Sequence, residues 1–198
     1  MYSVLPSFVL GFHGCDEKIG ESVLSGKSRL LSSENSYDWL GHGIYFWENN
    51  PERAFEYTKL LKSHPERSSR KVENPFVIGA VIDLGHCLNL TESKSINVLK
   101  EGYDLLTAGC KESKTPLPQN KGLLRNLDCA VINAIHEVYK SSDEPSFDSV
   151  RGLFIEGSKV YPNAGFFEES HIQICVRNPN CIKGYFRVIN PDHNYQIP

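Results

Sequence analysis

Between Tyr37 and Tyr57 the chain reads Y-D-W-L-G-H-G-I-Y-F-W-E-N-N-P-E-R-A-F-E-Y, and this stretch calls for three structures in succession. Gly41 and Gly43 flank His42 in a G-H-G turn suited to left-handed backbone. Ile44 to Trp47 form a short apolar, aromatic run of strand-forming residues. Asn49 and Asn50 precede Pro51, which gives an Asn cap with proline at the first helical position. The helix continues through E-R-A-F-E-Y-T-K-L-L, with Ala54, Tyr57, Leu60 and Leu61 expected on its inward face. A turn, a buried strand and a capped helix inside 21 residues point to a sheet with helices packed on it.

The remaining chain extends that pattern. Ser7 to His13 reads as a central strand that stops near His13, just before Gly14. Asp16 caps a helix running to Leu24, and Gly26 closes it. His64 to Asn74 is a charged loop, and Pro75 to Leu90 a strand of nearly continuous apolar character. Ile96 to Ala108 is helical. Leu124 to Tyr139 is helical too, with Leu127, Val131, Ile132 and Ile135 recurring at threes and fours. Val150 to Glu156, His171 to Val176 and Cys181 to Val188 are strands, and Gly157 to Glu169 is a long loop. About six strands with helices between and beside them alternate too irregularly for a doubly wound sheet. A single mixed α+β domain over residues 1–198 is expected, with one hydrophobic core.

Several function classes are disfavoured. The formal net charge of -3 gives no general electrostatic capture of nucleic acid, though it leaves room for a local basic patch. No apolar run reaches the length of a membrane span, and the first residues read as a buried strand, not a signal peptide. The six cysteines lack C-x-x-C or compact zinc spacing. Reduced thiols, a cytoplasmic location and no metal are therefore expected. Walker, G-x-G-x-x-G, G-x-S-x-G and H-E-x-x-H patterns are all missing. Cys15 sits close to His13, but past a glycine and poorly placed for a nucleophilic pair.

Four features could carry chemistry, and each has a plain structural alternative. In F-H-G, His13 can present a ring nitrogen while Gly14 leaves its backbone open to a ligand. In G-I-Y-F-W, Tyr45 and Trp47 share one face and can wall a pocket for a flat ring, or they are simply core. Tyr57 faces inward from the following helix, over the same ring or as core filler. On the strand E-S-H-I-Q-I-C-V, His171, Gln173 and Cys175 share a face opposite Ile172, Ile174 and Val176. Polar groups on such a face need partners, exposure or use.

Taken in order, F-H-G, G-H-G-I-Y-F with P-E-R-A-F-E-Y, and a late strand before I-K-G-Y-F resemble the ADP-ribosyltransferase superfamily, in particular the poly(ADP-ribose) polymerase-like catalytic domain. The resemblance spans the chain in order but carries little specific match between Asn89 and Asp148. It implies split mixed and antiparallel sheets with flanking helices, and NAD as co-substrate. His13 resembles the histidine that bonds the adenosine ribose, and Gly14 the glycine whose backbone holds the carboxamide. Tyr45 and Tyr57 resemble the tyrosines that bracket the nicotinamide, and Arg29 the basic residue at the adenine and diphosphate end.

The third position of the family triad, a glutamate in polymer-forming members, is His171 or Gln173 here, with Glu169 a lesser option. Glutamine accepts a hydrogen bond but is no general base. The resemblance therefore implies transfer of a single ADP-ribose to a protein or nucleic-acid acceptor with release of nicotinamide. The acceptor would enter beside Tyr161, Phe166 and Phe167. Compact members also act as toxins or in phage defence, under an inhibitory partner protein. A non-catalytic NAD, ADP-ribose or protein-binding module and an RNA 2'-phosphotransferase are the alternative readings on the same fold.

Overall fold

The computed structural model describes residues 8–68, 71–142, 144–189 and Asn194. In chain order it contains strand β1 (Phe8–Asp16), helix α1 (Glu17–Leu24), β2 (Ile44–Glu48), α2 (Pro51–Ser63), β3 (Pro75–Asp83) and β4 (Cys87–Asn89). Helices α3 (Ser93–Ser113) and α4 (Asn126–Ser141) follow, then β5 (Ser149–Phe154), β6 (His171–Val176) and β7 (Ile182–Arg187). The strands pair in the order β4-β5-β6-β2-β1-β3-β7. All pairings are antiparallel except that of β4 with β5. This is a mixed α+β fold with flanking helices.

The helix signals act where they are written. Asp16 caps α1 by accepting from the Lys18 N–H, and Asn50 caps α2 by accepting from the Arg53 N–H with Pro51 in the first turn. Two strand boundaries need correction. β1 runs through His13 and Gly14 to Asp16, so His13 lies inside the strand. The start of the predicted strand, Ser7, is outside the described residues. Pro75–Leu90 is two strands, because a turn at Leu84–His86 interrupts it. Asp148 clamps that turn by accepting from the His86 N–H at 2.9 Å, and it also accepts from the Asn178 amide at 2.7 Å. The interruption sends β4 to the far edge beside β5.

The expected split is a constriction in one continuous sheet. β1 pairs with β3 along its whole length, from Phe8↔Asp83 to Asp16↔Pro75. With β2 it pairs only at Gly11↔Glu48 and Phe12↔Trp47. Beyond Phe12 the strands part. Ser33, from the loop after α1, pairs instead with Gly43 at the start of β2.

Helices cover both faces. On one, Ile44, Phe46, Ile78, Ala80, Ile82, Ile174 and Val176 pack with Val23 of α1. On the other, Ala54 of α2 packs on Phe12 and Trp47, while Val131, Ile132 and Ile135 of α4 pack on Leu88, Val150 and Cys175. α3 rides on α4 through Gly102, where a Cβ would come within 2.3 Å of Ile135 Cγ1. The Cys175 face of β6 is therefore as covered as the Ile174 face, contrary to the alternating reading of that strand. β2 lies between the α2 and α4 covers, which makes the Trp47 side of β2 the floor between them.

His136 of α4 gives this packing a pH dependence. Burial pushes its imidazole down to about 3, and its Nε2 has no partner among the described residues. The unfolded chain takes up this proton near pH 6.5, whereas the folded chain resists. Stability from His136 is thus complete above about pH 6.5 and falls as pH drops toward 3, at about 1.4 kcal/mol per pH unit. Replacing His136 by Leu should remove that slope from urea unfolding measured between pH 4.5 and 7. An unchanged slope would contradict a buried neutral imidazole.

Candidate functional site

Where β1 and β2 part, the backbone has a gap with a definite polarity. The Asn49 N–H donates to the Leu10 carbonyl at 2.9 Å, so Leu10, Phe12 and Gly14 turn their N–H and C=O groups toward β2. An unbroken ladder would place His13 opposite Phe46 and then Gly14 opposite Tyr45. The strands have separated there, and the Tyr45 carbonyl is taken by the His13 ring at 2.8 Å. A carbonyl only accepts, so His13 Nδ1 carries the proton. Among the described residues, none pairs with Gly14 on the gap side.

Gly14 must be glycine for another reason. Behind it α2 presses so closely that a Cβ would fall 2.1 Å from Thr58 Oγ1 and 2.4 Å from the Ala54 carbonyl oxygen. Its missing side chain lets α2 seat on β1, and α2 carries Tyr57.

Trp47 is the hub of the adjoining floor. It is paired across β1 to Phe12 and across β6 to Gln173. Its ring lies 5.0 Å from Tyr57 and 6.3 Å from His171, centroid to centroid. It is buried, and its indole N–H has no acceptor among the described residues. Tyr57 is not core: it is 37% exposed at the rim above Trp47, and Ala54, Thr58 and Leu61 make the buried face of α2. Partial burial still raises its phenol above the ordinary value.

The structure commits the Tyr45 hydroxyl to the backbone. Its OH donates to the Gly41 carbonyl at 2.7 Å and accepts from the Leu40 N–H at 2.9 Å. Burial raises this phenol well above 10. The ring packs toward Leu40 and Cys175, and the hydroxyl staples the G-H-G turn to the strand it precedes. Gly41, at φ 75°, has Ile132 and Asn133 of α4 against its missing side chain. Tyr45→Phe should therefore cost about 2 kcal/mol by stranding two backbone groups. NAD affinity should stay within about twofold, because the hydroxyl is already committed. Urea melts and ligand titration check both halves, and unchanged stability would refute the staple.

At the end of β6, His171 and Gln173 divide the roles that the sequence left open. His171 is buried, stacked on Phe154 with centroids 5.6 Å apart. Its Nδ1 lies 2.5 Å from the Glu169 carbonyl, and its Nε2 lies 3.1 Å from Gln173 Nε2. Burial lowers its pKa, so the ring is neutral near pH 7. Gln173 is only half-buried and stands next to Trp47. Glu169 is committed elsewhere: its carboxylate meets Arg53 at 2.5 Å, with Glu156 at 3.6 Å and Glu56 at 3.3 Å around the same guanidinium.

Arg53 ties α2 to the segment before β6. That segment, expected as a loop, folds back on itself through Glu169 N–H to the Glu156 carbonyl, Glu168 to Ser158 and Val160 to Phe166. Tyr161 and Phe166 stand exposed at its tip, and Phe167 pairs with Lys159.

Arg29 is exposed on the loop after α1, near enough to Tyr185 of β7 for its charge to favour the phenolate. No described contact joins it to His13, Tyr57 or Gln173. A separate groove of about 960 Å³ between α3, α4 and β5 shares Phe154 with the wall behind His171. No cluster of metal-binding side chains occurs among the described residues.

Sequence reasoning missed the central part of Trp47 and the ties made by Arg53. Trp47 carried a signal, since alternation put it on the face of Tyr45. The ties of Arg53 to Glu156 and Glu169 carried none, because both lie more than a hundred residues away.

Comparison with known proteins adds little about activity. No family model matches the chain, and no solved structure matches it significantly. A protein of Methanocaldococcus jannaschii, described as uncharacterized, is 28% identical over 191 residues that cover 87% of this chain and 83% of that protein. The likeness therefore extends over most of both chains and carries no functional description.

Proposed function

We propose that this chain is an NAD-dependent mono-ADP-ribosyltransferase, built on the ADP-ribosyltransferase fold that its motifs resemble. The observation that carries the reading is the gap at Gly14: a backbone donor and acceptor unopposed among the described residues, beside a fixed His13, bordered by the aromatic floor of Trp47 and by Gln173. A primary carboxamide needs one donor and one acceptor, and an extended backbone residue offers both on one side. The flat nicotinamide ring has Trp47, Tyr57 and the ring of Tyr45 as apolar neighbours. His13, fixed by the Tyr45 carbonyl, would meet a ribose hydroxyl of the adenosine end, and Arg29 would reach the diphosphate.

In the reaction the bond between ribose C1' and the nicotinamide nitrogen breaks, and its electron pair leaves with nicotinamide. Positive charge develops on the ribose. Gln173 Oε1, accepting from a ribose hydroxyl, holds that ring in place. An acceptor nucleophile then bonds to C1' and releases its proton to water. Gln173 cannot take that proton, so the site suits a single transfer rather than chain growth. The acceptor is a protein or nucleic acid that approaches along the tip carrying Tyr161, Phe166 and Phe167. Restraint by an inhibitory partner belongs to this same reading.

The test is incubation with NAD and chromatography for free nicotinamide, with and without cell lysate. Labelled ADP-ribose should appear in one of the protein, RNA or DNA fractions. NAD binding without nicotinamide release under any condition would instead support a non-catalytic module. The absence of a base at position 173 specifically favours that second reading.

A further inference from the structure

We infer that His171 is a positioning residue: it sets the Gln173 side-chain amide so that the carbonyl oxygen, and not the NH2 group, is presented on the Trp47 side of β6. The inference rests on the reading of Gln173 as a ribose-hydroxyl acceptor, and it follows from donor and acceptor chemistry. The group facing His171 Nδ1 is the Glu169 carbonyl, which can only accept. Nδ1 therefore carries the proton, and Nε2 of the neutral ring can only accept. The Gln173 atom 3.1 Å from Nε2 must then be the amide NH2. With NH2 committed, Oε1 is the free end. The orientation is thus fixed by the backbone carbonyl of Glu169, relayed through one imidazole.

The surroundings keep the imidazole neutral and still. Phe154 and Trp47 flank its ring. Burial is the larger influence on its proton affinity and disfavours the cation, as does Arg53 of α2. The Glu169 carbonyl and the Glu156 and Glu169 carboxylates pull the other way. When acid protonates Nε2, it becomes a donor. Gln173 must then turn its carbonyl toward His171 and its NH2 toward the cleft, which removes the hydroxyl acceptor. Activity should have an acid limb that belongs to His171, although His171 touches no substrate.

Two measurements separate this inference from the activity it rests on. The first needs no catalysis. In Gln173→Glu a carboxylate faces Nε2, and two acceptors repel unless the ring is protonated. Histidine NMR titration should show the His171 pKa rising above the ordinary 6.5 in that variant, and a proton on Nδ1 in the native chain. An Nε2-protonated tautomer, or an unraised pKa in Gln173→Glu, overturns the inference whether or not the protein releases nicotinamide.

The second is the pH profile of nicotinamide release. His171→Leu should lower kcat about tenfold with KM within about twofold, and the acid limb should vanish. His171→Gln, which can still accept from the Gln173 NH2, should recover part of kcat and also lack the limb. A native limb that persists unchanged in both variants overturns it. Nicotinamide release absent from every protein, together with the expected NMR result, would reject the proposed activity and leave the His171–Gln173 relay standing.

Discussion

Gln173→Ala should slow nicotinamide release by about a hundredfold while NAD affinity changes by less than about threefold. The asymmetry is the informative part. A hydrogen bond from the ribose to Gln173 matters most when positive charge spreads over that sugar, so its loss falls on kcat. Stability should change little, because Gln173 is half-buried and among the described residues its side chain bonds only His171 Nε2. A comparable rise in KM with unchanged kcat would reassign Gln173 to ground-state binding. Full activity in a folded variant would remove it from the site.

Gly14→Ala should destabilise the fold by about 3 kcal/mol and lower Tm by about 10 °C. The added carbon would lie 2.4 Å from the Ala54 carbonyl oxygen, a helix backbone atom that cannot rotate away. Thr58→Ala, which removes the other clash at 2.1 Å, should not rescue it. α2 must shift off β1, and Tyr57 moves with it, so NAD affinity should fall as well. Gly109→Ala is the matched control. It lies in α3 with nothing within 4 Å of its missing Cβ, and should stabilise by about 1 kcal/mol as a helix-interior glycine replacement. Equal melting temperatures for native and Gly14→Ala protein would show that α2 does not press on this strand.

The two glycine effects show how one residue type can serve two requirements. At Gly14 the sequence suggested an open backbone for a ligand. The structure adds that the open side faces the β1–β2 gap, while the side where a Cβ would project is filled by α2. A substitution there cannot separate the two roles, which is why Gln173→Ala and Tyr45→Phe are the cleaner probes of chemistry.

Local signals fixed the secondary structure well, because caps and alternation act over a few residues. Asp16 and Asn50 start their helices as written, and Ile44–Glu48 and His171–Val176 are strands as expected. Errors came where tertiary contacts decided. The Pro75–Leu90 run broke in two because Asp148, distant in sequence, holds the turn between β3 and β4. Tyr57 sits at the rim because Thr58 took the buried position beneath α2. The Tyr45 hydroxyl is taken by the backbone of the turn just before it, a choice of rotamer and packing that alternation cannot express.

By itself the sequence determined which residues lie on which face of β2 and β6, since a strand's period of two leaves no freedom there. It also brought His13, Gly14, Tyr45, Tyr57, His171 and Gln173 forward as candidates. Only the tertiary structure decided how they divide the work. The ladder between β1 and β2 ends two pairs before Gly14 would meet Tyr45, and this leaves Gly14 facing the gap. The Glu169 carbonyl fixes a proton on His171, which in turn fixes Gln173. Both are consequences of where strands stop pairing and which carbonyl faces which ring, and neither is encoded in the spacing of residues along the chain.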